Sequence, residues 1–392
     1  MIDCQPIAPF LASSHRQLAP EIDRFAGSEI APLPHPQDDD AGRAQGREIL
    51  RRLGAGGWSA WTVPAAWGGR ADSFDLRACC LIREALGAAS SLADSIFALQ
   101  GLGSLPITLA GADAVQRRWL PAVAAGEAMA GFALTEPEAG SDPAGMATRA
   151  VREGDGWRLD GHKVYISNAG LADFYTLFAS TDPAAGHRGI SAFVLPADTP
   201  GLTFRAQRLS APHPLGELFL DGCRLPADSL LGEVGGGFKL ALKTLDRLRP
   251  TVAAAACGMA RRALDEALAH ATSRQQFGQP LASFQLTQQK IARMATDLTA
   301  ARLLTYRAAA KADDGAERIT LEAAMAKSFA TEAAQRIVDD AVQILGGRGV
   351  VDDHPVDLLY RAVRALRIYE GTTEIQHLVI AKHVLAAFGD AE

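Results

Sequence analysis

Six short apolar segments between residues 129 and 232 constrain the fold of this chain more than any other feature of its sequence. Each has the length of a β-strand, and Gly, Asp or Pro separates it from the next. They are residues 130–134, 157–159, 174–179, 190–195, 202–204 and 218–220. Residues 156–161, in which Trp157 and Leu159 alternate with other residues, are typical of one arm of a hairpin. The pattern predicts a small antiparallel β domain.

Helical patterns lie on both sides of this β region. Residues 43–53 and 76–86 carry apolar side chains at spacings of three and four, as amphipathic helices do. From about residue 237 the segments 240–273, 284–313, 320–345, 355–366 and 374–387 are rich in helix formers, and Gly and Pro separate several of them. We therefore predict an α+β fold with a helical domain over 1–128, a β domain over 129–232 and an antiparallel helical bundle over 233–392.

The composition excludes several classes of protein. Of the 392 residues, 48% are hydrophobic and 21% charged, which is ordinary for a globular chain with a large core. The net charge of −6, without a long basic run, argues against nucleic acid and anionic membranes as partners. The five cysteines include no C-x-x-C pair, and the N-terminus has no secretory pattern, so we expect a cytoplasmic protein. The sequence contains no stretch of about 18 uninterrupted apolar residues, so we expect no membrane span.

Several common catalytic motifs are also missing. The chain contains no G-x-G-x-x-G after a strand, no P-loop and no nucleophile elbow, and its nine histidines lack the spacing of metal ligands. We therefore expect neither a Rossmann-type nicotinamide site nor a metal site.

Two segments have both a structural and a functional interpretation. The segment ALTEPEAGSDPAGM (133–146) is typical of a strand that ends in a turn, but its backbone N–H groups and hydroxyls can also bind an anion or a polar ring. The segment LRIYEGTTEIQ (366–376) places Glu370 beside Gly371 at a junction between helices, where Thr372 can cap the second helix. The residues alone leave both interpretations open.

Five segments, in order along the chain, resemble those of FAD-dependent acyl-CoA dehydrogenases. GFALTEPEAGSD (131–142) resembles the first signature of that family, and AVQILGGRGV (341–350) with YRAVRALRIYEGTTEIQ (360–376) resembles the second. Between them lie GHKVYISNAG (161–170), LGEVGGGFKLALKTLDRLRP (231–250) and SRQQFGQPLASFQ (273–285). The resemblance implies a helical N-terminal domain, a middle β-barrel domain and a C-terminal four-helix bundle. It also implies a homotetramer, built as a dimer of dimers, with one FAD bound to each subunit.

The reaction implied by the resemblance is α,β-dehydrogenation of an acyl-CoA thioester to its trans-2-enoyl-CoA. A base removes the α-proton, a hydride leaves Cβ for the flavin, and electrons pass on to an electron-transfer flavoprotein. An acyl-CoA oxidase, a lyase of the same fold and a non-catalytic acyl-CoA-binding homologue are the alternatives. Since a non-catalytic homologue needs no base, the presence of Glu370 argues against it.

Carried onto this sequence, the resemblance assigns the catalytic base to Glu370. The acyl-CoA contacts are Ser141, Asp246, Arg249, Tyr369 and Gly371. The FAD contacts are Phe132, Leu134, Thr135, Gly140, Ser141, Tyr165, Ile166, Ser167, Arg274, Phe277, Gln285, Gln343, Gly346, Gly347, Thr372 and Glu374. Among these, the segment from Arg274 to Gln285 and the residues around Gly346 reach the FAD of a neighbouring subunit, with Arg274 on its pyrophosphate.

Two features bear on the acyl group. The loop Pro212-His213-Pro214 departs from the family pattern near the expected CoA entrance. No Arg or Lys occurs from Glu84 to Gln116, the region that closes the acyl pocket in relatives and in which glutaryl-CoA dehydrogenases carry an Arg, here at or near Ala93. A buried second carboxylate would then lack a partner, so we expect a monocarboxylic acyl group.

Overall fold

Along the chain, helices precede and follow the β region, as predicted. The computed structural model describes residues 2–211 and 213–389. Before the β region lie α1 (Ser13–Phe25), α2 (Asp39–Ala55), α3 (Leu76–Ala89), α4 (Ser91–Ala110) and α5 (Asp113–Ala125). After it lie α6 (Gly237–Ser273), α7 (Gln285–Asp313), α8 (Thr320–Leu345), α9 (Pro355–Leu366) and α10 (Thr373–Gly389). Each predicted helical segment lies within one of these, apart from Phe284, which is the N-cap of α7.

The β region contains the six predicted strands and two more. The strands are β1 (Ala130–Ala133), β2 (Arg149–Glu153), β3 (Gly156–Ser167), β4 (Phe174–Ser180), β5 (Ile190–Pro196), β6 (Leu202–Gln207), β7 (Leu215–Leu225) and β8 (Leu230–Leu231). β2 pairs antiparallel with β3, so the predicted hairpin arm is confirmed. The sequence pattern does not predict β2, because most of this strand is exposed and charged.

The strands form one sheet in the order β6-β7-β3-β2-β4-β5-β8, with β1 parallel to β4. β4 is buried along its whole length. Because successive side chains of a strand point to opposite faces, Phe174 and Phe178 enter one core cluster and Tyr175 and Leu177 enter another. Because both faces of β4 are buried, its sequence is a nearly continuous apolar run rather than an alternating one.

The described residues form two compact units. One takes its residues from Met1–His35, Leu76–Asp94 and Asp246–Glu392, and the other from Pro36–Asp75 and Ser95–Leu245. A short hairpin of β9 (Gln275–Gln276) and β10 (Gln279–Pro280) follows α6 in the first unit. The predicted boundaries of the three sequence domains stay a prediction.

In the first unit, α3 and α6 lie against each other with their backbones in contact. A Cβ added to Gly258 would lie 2.0 Å from the carbonyl oxygen of Glu84, and one added to Gly87 would lie 2.8 Å from that of Ala255. Only glycine allows this approach. As a result, Arg83 on α3 comes within hydrogen-bonding distance of Thr251 on α6.

Helix α4 is long and apolar enough to cross a membrane, but 78% of its apolar window is buried within the protein. A helix in the core of a folded protein can be equally apolar, so burial within the protein explains the composition of α4. The expected absence of a membrane span stays a prediction.

Candidate active site

Glu370 lies in a tight turn between α9 and α10. Its φ angle is 55° and that of Gly371 is 95°, so two consecutive residues have left-handed backbone. A Cβ on residue 371 would lie 2.5 Å from Nε2 of Gln376, which explains the glycine there. For Glu370 the conformation costs about 1–2 kcal/mol. The surrounding protein must therefore hold this turn in place.

Buried cations hold the turn by its carbonyl oxygens. Nε of Arg249 donates to the carbonyl oxygen of Glu370 at 3.1 Å. Nζ of Lys327 donates to that of Gly371 at 2.7 Å, and Nε2 of Gln376 donates to the same oxygen at 3.1 Å. Lys327 is fully buried and Arg249 is 5% exposed. Charged donors form stronger hydrogen bonds than neutral ones, and here they offset the strain of the turn.

Glu370 is half-buried as a residue, but one oxygen of its carboxylate is fully buried. Its Oε2 has no hydrogen-bond partner among the described residues. Burial raises the pKa of Glu370, and the nearby cations Arg83, Lys327 and Arg249 oppose this rise. A carboxylate with a raised pKa and a free oxygen is suited to accept a proton from a bound molecule.

The backbone N–H of Glu370 is also free. Within the part of the chain that the structure describes, no backbone or side-chain acceptor contacts it, whereas the N–H of Tyr369 donates to the carbonyl oxygen of Ala365 at 3.2 Å. A proton acceptor and a backbone donor therefore belong to the same residue. This combination suits the removal of a proton next to a carbonyl group, because the donor can stabilise the negative charge that develops on the carbonyl oxygen.

A buried ion pair adjoins the turn. Nε and Nη2 of Arg83 donate to the two carboxylate oxygens of Asp94 at 2.7 and 2.8 Å, and the side chains are 3% and 2% exposed. Nη1 of Arg83 donates to Oγ1 of Thr251 at 2.9 Å. The guanidinium also interacts with the hydroxyl of Tyr369, whose pKa is raised by burial.

The other predicted residues near Glu370 have partners within the protein. Oδ1 of Asp246 accepts a hydrogen bond from Nη1 of Arg249 at 2.5 Å. Oγ1 of Thr372 accepts from the N–H of Ile375 at 3.4 Å, so the capping interpretation of Thr372 is confirmed. The expected contacts of Asp246 and Arg249 with CoA, and of Thr372 and Glu374 with FAD, stay predictions.

A second group of predicted residues is exposed on the first unit. Phe277 and Gly278, at φ angles of 50° and 79°, form the turn of the β9–β10 hairpin, and Phe277 is 92% exposed. Arg274 precedes the hairpin, and Gln285 begins α7. An aromatic side chain this exposed, on a strained turn, is typical of a residue that contacts another molecule.

In the second unit, a buried ion pair organises the loop after β1. Nζ of Lys163 donates to Oε1 of Glu136 at 2.7 Å and to the carbonyl oxygen of Leu134 at 3.0 Å. The Glu136 carboxylate also accepts from the N–H groups of Ala147 and Thr148, at 2.5 and 3.0 Å. These bonds connect the two ends of the loop that contains Gly140 and Ser141.

The predicted FAD contacts on this loop and on β1 differ in exposure. Phe132 packs against Phe178, with ring centroids 5.0 Å apart, and the carbonyl oxygen of Thr135 accepts from the N–H of Val164 at 3.0 Å. Gly140 and Ser141 are exposed, and a Cβ on Gly140 would meet no atom within 4 Å. This part of the loop is therefore open to a ligand.

The three predicted FAD contacts at the end of β3 have different surroundings. Tyr165 has a φ angle of 57° and is 65% exposed. Ile166 lies in a core cluster at 2% exposure, so a contact with FAD would have to come from its backbone. Oγ of Ser167 lies 2.8 Å from Nε2 of His213, in the loop that departs from the family pattern. Burial lowers the pKa of His213 to about 4, so its imidazole is neutral at pH 7.

Comparison with known proteins covers almost the whole chain. Residues 12–127, 131–223 and 235–385 match the N-terminal, middle and C-terminal domains of acyl-CoA dehydrogenases. The chain is 41% identical over 379 residues to a probable acyl-CoA dehydrogenase, fadE25, of Mycobacterium leprae (strain TN), covering 96% of both proteins. The chain belongs to the acyl-CoA dehydrogenase family.

Two further relatives extend this result. The mitochondrial short-chain specific acyl-CoA dehydrogenase of Homo sapiens is 40% identical over 386 residues, covering 96% of this chain and 92% of that protein. The structure of a glutaryl-CoA dehydrogenase from Mycobacterium smegmatis in complex with FADH2 has a TM-score of 0.86 and 30% identity, covering 96% of each chain. This acyl-CoA dehydrogenase family member is thus an oxidoreductase acting on CH–CH groups, with FAD as its cofactor. The α+β fold, helical at both ends with a β domain between, is confirmed.

The residues of this acyl-CoA dehydrogenase homologue fit a diphosphate-containing cofactor. Arg274 and Arg348 both lie close enough to His270 to lower its pKa, in addition to the larger effect of burial. Cationic side chains thus converge where α6 and α8 end. A Cβ on Gly346 or Gly347 would meet no atom within 4 Å, so the backbone there is accessible, and Gln343 is exposed nearby on α8. Exposed backbone and guanidinium groups are suitable donors for a pyrophosphate.

Sequence reasoning missed the buried charges that organise the Glu370 turn in the first unit and the loop after β1 in the second unit. Lys327 occupies the apolar stripe of α8 defined by Ala323, Ala330 and Ala334, and Arg83 occupies the buried face of α3. A charged residue on the apolar face of a helix is the signal that predicts such a position, since charges are seldom buried without a partner. Glu136 gave no such signal, because it lies in a loop, where charged residues are common, and its partner Lys163 lies on β3.

The Glu136–Lys163 pair generates a prediction about the loop at 137–146. Glu136→Gln removes the charge while keeping the shape, and leaves the Lys163 ammonium buried without a counter-ion. We expect faster proteolytic cleavage within the loop. We also expect a lower affinity for FAD, measured as the amount of flavin released on dilution. Glu138→Gln, at an exposed position of the same loop, is the matched control. Equal cleavage rates in both variants would contradict the role of the pair.

Proposed function

We propose that this protein catalyses the α,β-dehydrogenation of a monocarboxylic acyl-CoA, with Glu370 as the base. The observation that carries the proposal is the buried Oε2 of Glu370, which has no hydrogen-bond partner among the described residues. Buried polar atoms are nearly always hydrogen-bonded, so an unpartnered carboxylate oxygen beside three cations indicates a function for that oxygen.

The local geometry supplies two requirements of the reaction. The α-proton of a thioester is very weakly acidic, so its removal requires both a strong base and stabilisation of the enolate oxygen. The raised pKa of Glu370 provides the base. Its free backbone N–H is the proposed donor to the thioester oxygen. The hydrogen bonds from Arg249 and Lys327 fix the carbonyl oxygens of the same turn, and thereby the position of both groups.

FAD, when bound, supplies the acceptor for the hydride that leaves the β-carbon. The residues proposed to hold it are those of the loop at 132–141, the segment at 165–167, the segment at 274–285, the α8 terminus at 343–347, and Thr372 with Glu374. In this proposal Asp246 and Arg249 adjoin the CoA, and Ser141, Tyr369 and Gly371 adjoin the bound acyl-CoA.

The proposal includes an electron-transfer flavoprotein as acceptor, a cytoplasmic location and a homotetramer. Exposed apolar side chains on the C-terminal helices support assembly, since exposed apolar surface on a folded chain often marks an interface. They are Leu286, Leu378, Val384, Leu385 and Phe388.

The acyl group is proposed to end without a second carboxylate. The sequence from Glu84 to Gln116 has no cation, and the nearest one, Arg83, uses two of its nitrogens to bind Asp94. A terminal carboxylate near this pair would meet the negative charge of Asp94. The buried residues Phe97 and Leu99 of α4 have apolar side chains, although residues two apart on a helix face different directions.

The first prediction from this proposal concerns the base. Glu370→Gln keeps the shape of the side chain but cannot accept the proton, so we expect bound FAD and bound acyl-CoA with flavin reduction slower by about 10²–10⁴-fold. Glu317→Gln, at an exposed position outside the turn, is the control. Stopped-flow absorbance under anaerobic conditions measures the rate. Near-normal reduction in Glu370→Gln would assign the base to another residue.

In the wild-type enzyme, the rate of flavin reduction should increase as pH rises. Because burial raises the pKa of Glu370 above its usual range, the active carboxylate form is lost as pH falls through that raised value. The rate of flavin reduction should therefore rise with pH through a midpoint above 4.5, and this rise should vanish in Glu370→Gln.

The second prediction concerns the acyl group. Anaerobic titration with butyryl-, octanoyl-, cyclohexanecarboxyl- and glutaryl-CoA should give flavin reduction by one or more of the first three and the weakest response with glutaryl-CoA. Rapid reoxidation of the reduced flavin in air would favour the oxidase alternative. Glutaryl-CoA as the best reductant would instead mean that the acyl pocket binds a second carboxylate without a cation from residues 84–116.

A further inference from the structure

We infer that Asp94 is a positioning residue for the proposed base: by binding the Arg83 guanidinium through both carboxylate oxygens, it prevents that cation from pairing with Glu370. The inference rests on the proposed role of Glu370 and identifies the residue that keeps its carboxylate available. Asp94 lies near the start of α4 and Arg83 on α3, and both belong to the same unit as the catalytic turn.

The ion pair is geometrically specific. Two nitrogens of Arg83 donate to the two oxygens of Asp94 at 2.7 and 2.8 Å, which is the bidentate arrangement that guanidinium and carboxylate groups favour. Both side chains are at most 3% exposed, so water cannot replace either partner. Without Asp94, the Arg83 charge would be buried and uncompensated, which is strongly unfavourable.

Contacts on α6 bring Arg83 near Glu370. Arg83 donates to Thr251, and Arg249, two residues earlier on the same helix, donates to the carbonyl oxygen of Glu370. The Arg83 guanidinium interacts with the hydroxyl of Tyr369, which directly precedes Glu370 in the turn. Of the three cations that act on Glu370, Arg83 has the largest effect. Glu370 therefore provides a nearby carboxylate that Arg83 could bind if Asp94 lost its charge.

The charged groups that act electrostatically on Glu370 come from four helices. They are Arg83 on α3, Asp94 on α4, Arg249 on α6 and Lys327 on α8. Arg249 is already bonded to Asp246 and to the carbonyl oxygen of Glu370, and Lys327 to the carbonyl oxygen of Gly371. Each cation thus has a partner other than the Glu370 carboxylate, and for Arg83 that partner is Asp94.

The consequence for the reaction is a change in base strength. A carboxylate paired with an adjacent guanidinium has its pKa lowered by about 1–3 units and is a correspondingly weaker base. Asp94→Asn frees Arg83 while keeping the side-chain shape. Arg83→Gln leaves the negative charge of Asp94 near Glu370. The two variants should therefore change the pKa of Glu370 in opposite directions, a result that loss of packing alone cannot produce.

The experiment measures flavin reduction against pH in the FAD-loaded enzyme, with the acyl-CoA that reduces it fastest. In Asp94→Asn we expect the midpoint to move to lower pH and the plateau rate to fall by about tenfold or more. In Arg83→Gln the midpoint should move to higher pH. The double variant Arg83→Gln/Asp94→Asn has no unpaired buried charge, so its midpoint and plateau should return close to those of the wild type.

Asp357→Asn is the matched control. Asp357 pairs with Arg361 on α9, neither residue is among the groups that act on Glu370, and the variant should leave the pH profile unchanged. If Asp94→Asn fails to fold, the direction of the Arg83→Gln midpoint decides, and a midpoint at or below that of the wild type would overturn the inference. Midpoints that move in the same direction in both single variants, or a folded double variant no more active than Asp94→Asn, would overturn the inference. Normal reduction in Glu370→Gln would instead overturn the proposed function.

Discussion

The hydrogen bonds from Arg249 and Lys327 to the carbonyl oxygens of Glu370 and Gly371 are the interaction on which the rest of the site depends. Left-handed backbone at a glutamate is unfavourable and needs external support. Because the donors are buried and charged, they fix the turn through its backbone. The Glu370 carboxylate is not used for anchoring, and its oxygen and N–H stay available.

This arrangement separates positioning from chemistry. A catalytic carboxylate held by direct ion pairs would be well placed but weakly basic, because an adjacent cation lowers its pKa. Here burial raises the pKa of Glu370, while the cations lie nearby and are bonded to other groups. Gly87 and Gly258 permit the close packing of α3 against α6. This packing places Arg83 among the cations that act on the pKa of Glu370.

The sequence predicted the fold more completely than the site. Long periodic helices such as α6 to α8 and the fully buried β4 have strong local patterns, whereas β2 is an exposed, charged strand defined by its pairing with β3. Glu370 and the loop around Ser141 followed from the family resemblance. The Arg83–Asp94 and Glu136–Lys163 pairs could not be predicted. The two residues of each pair are separated in sequence, and only the packing of the folded chain brings them into contact.

The most direct test of Glu370 as the base is exchange of the α-proton with solvent, measured separately from flavin reduction. A 3-thiaacyl-CoA has sulfur in place of the β-carbon and cannot lose a β-hydride, so incorporation of deuterium at Cα from D2O reports the base alone. We expect NMR to detect exchange with the wild-type enzyme, and a rate lower by about 10²–10⁴-fold with Glu370→Gln. Exchange at the wild-type rate in Glu370→Gln would contradict the account.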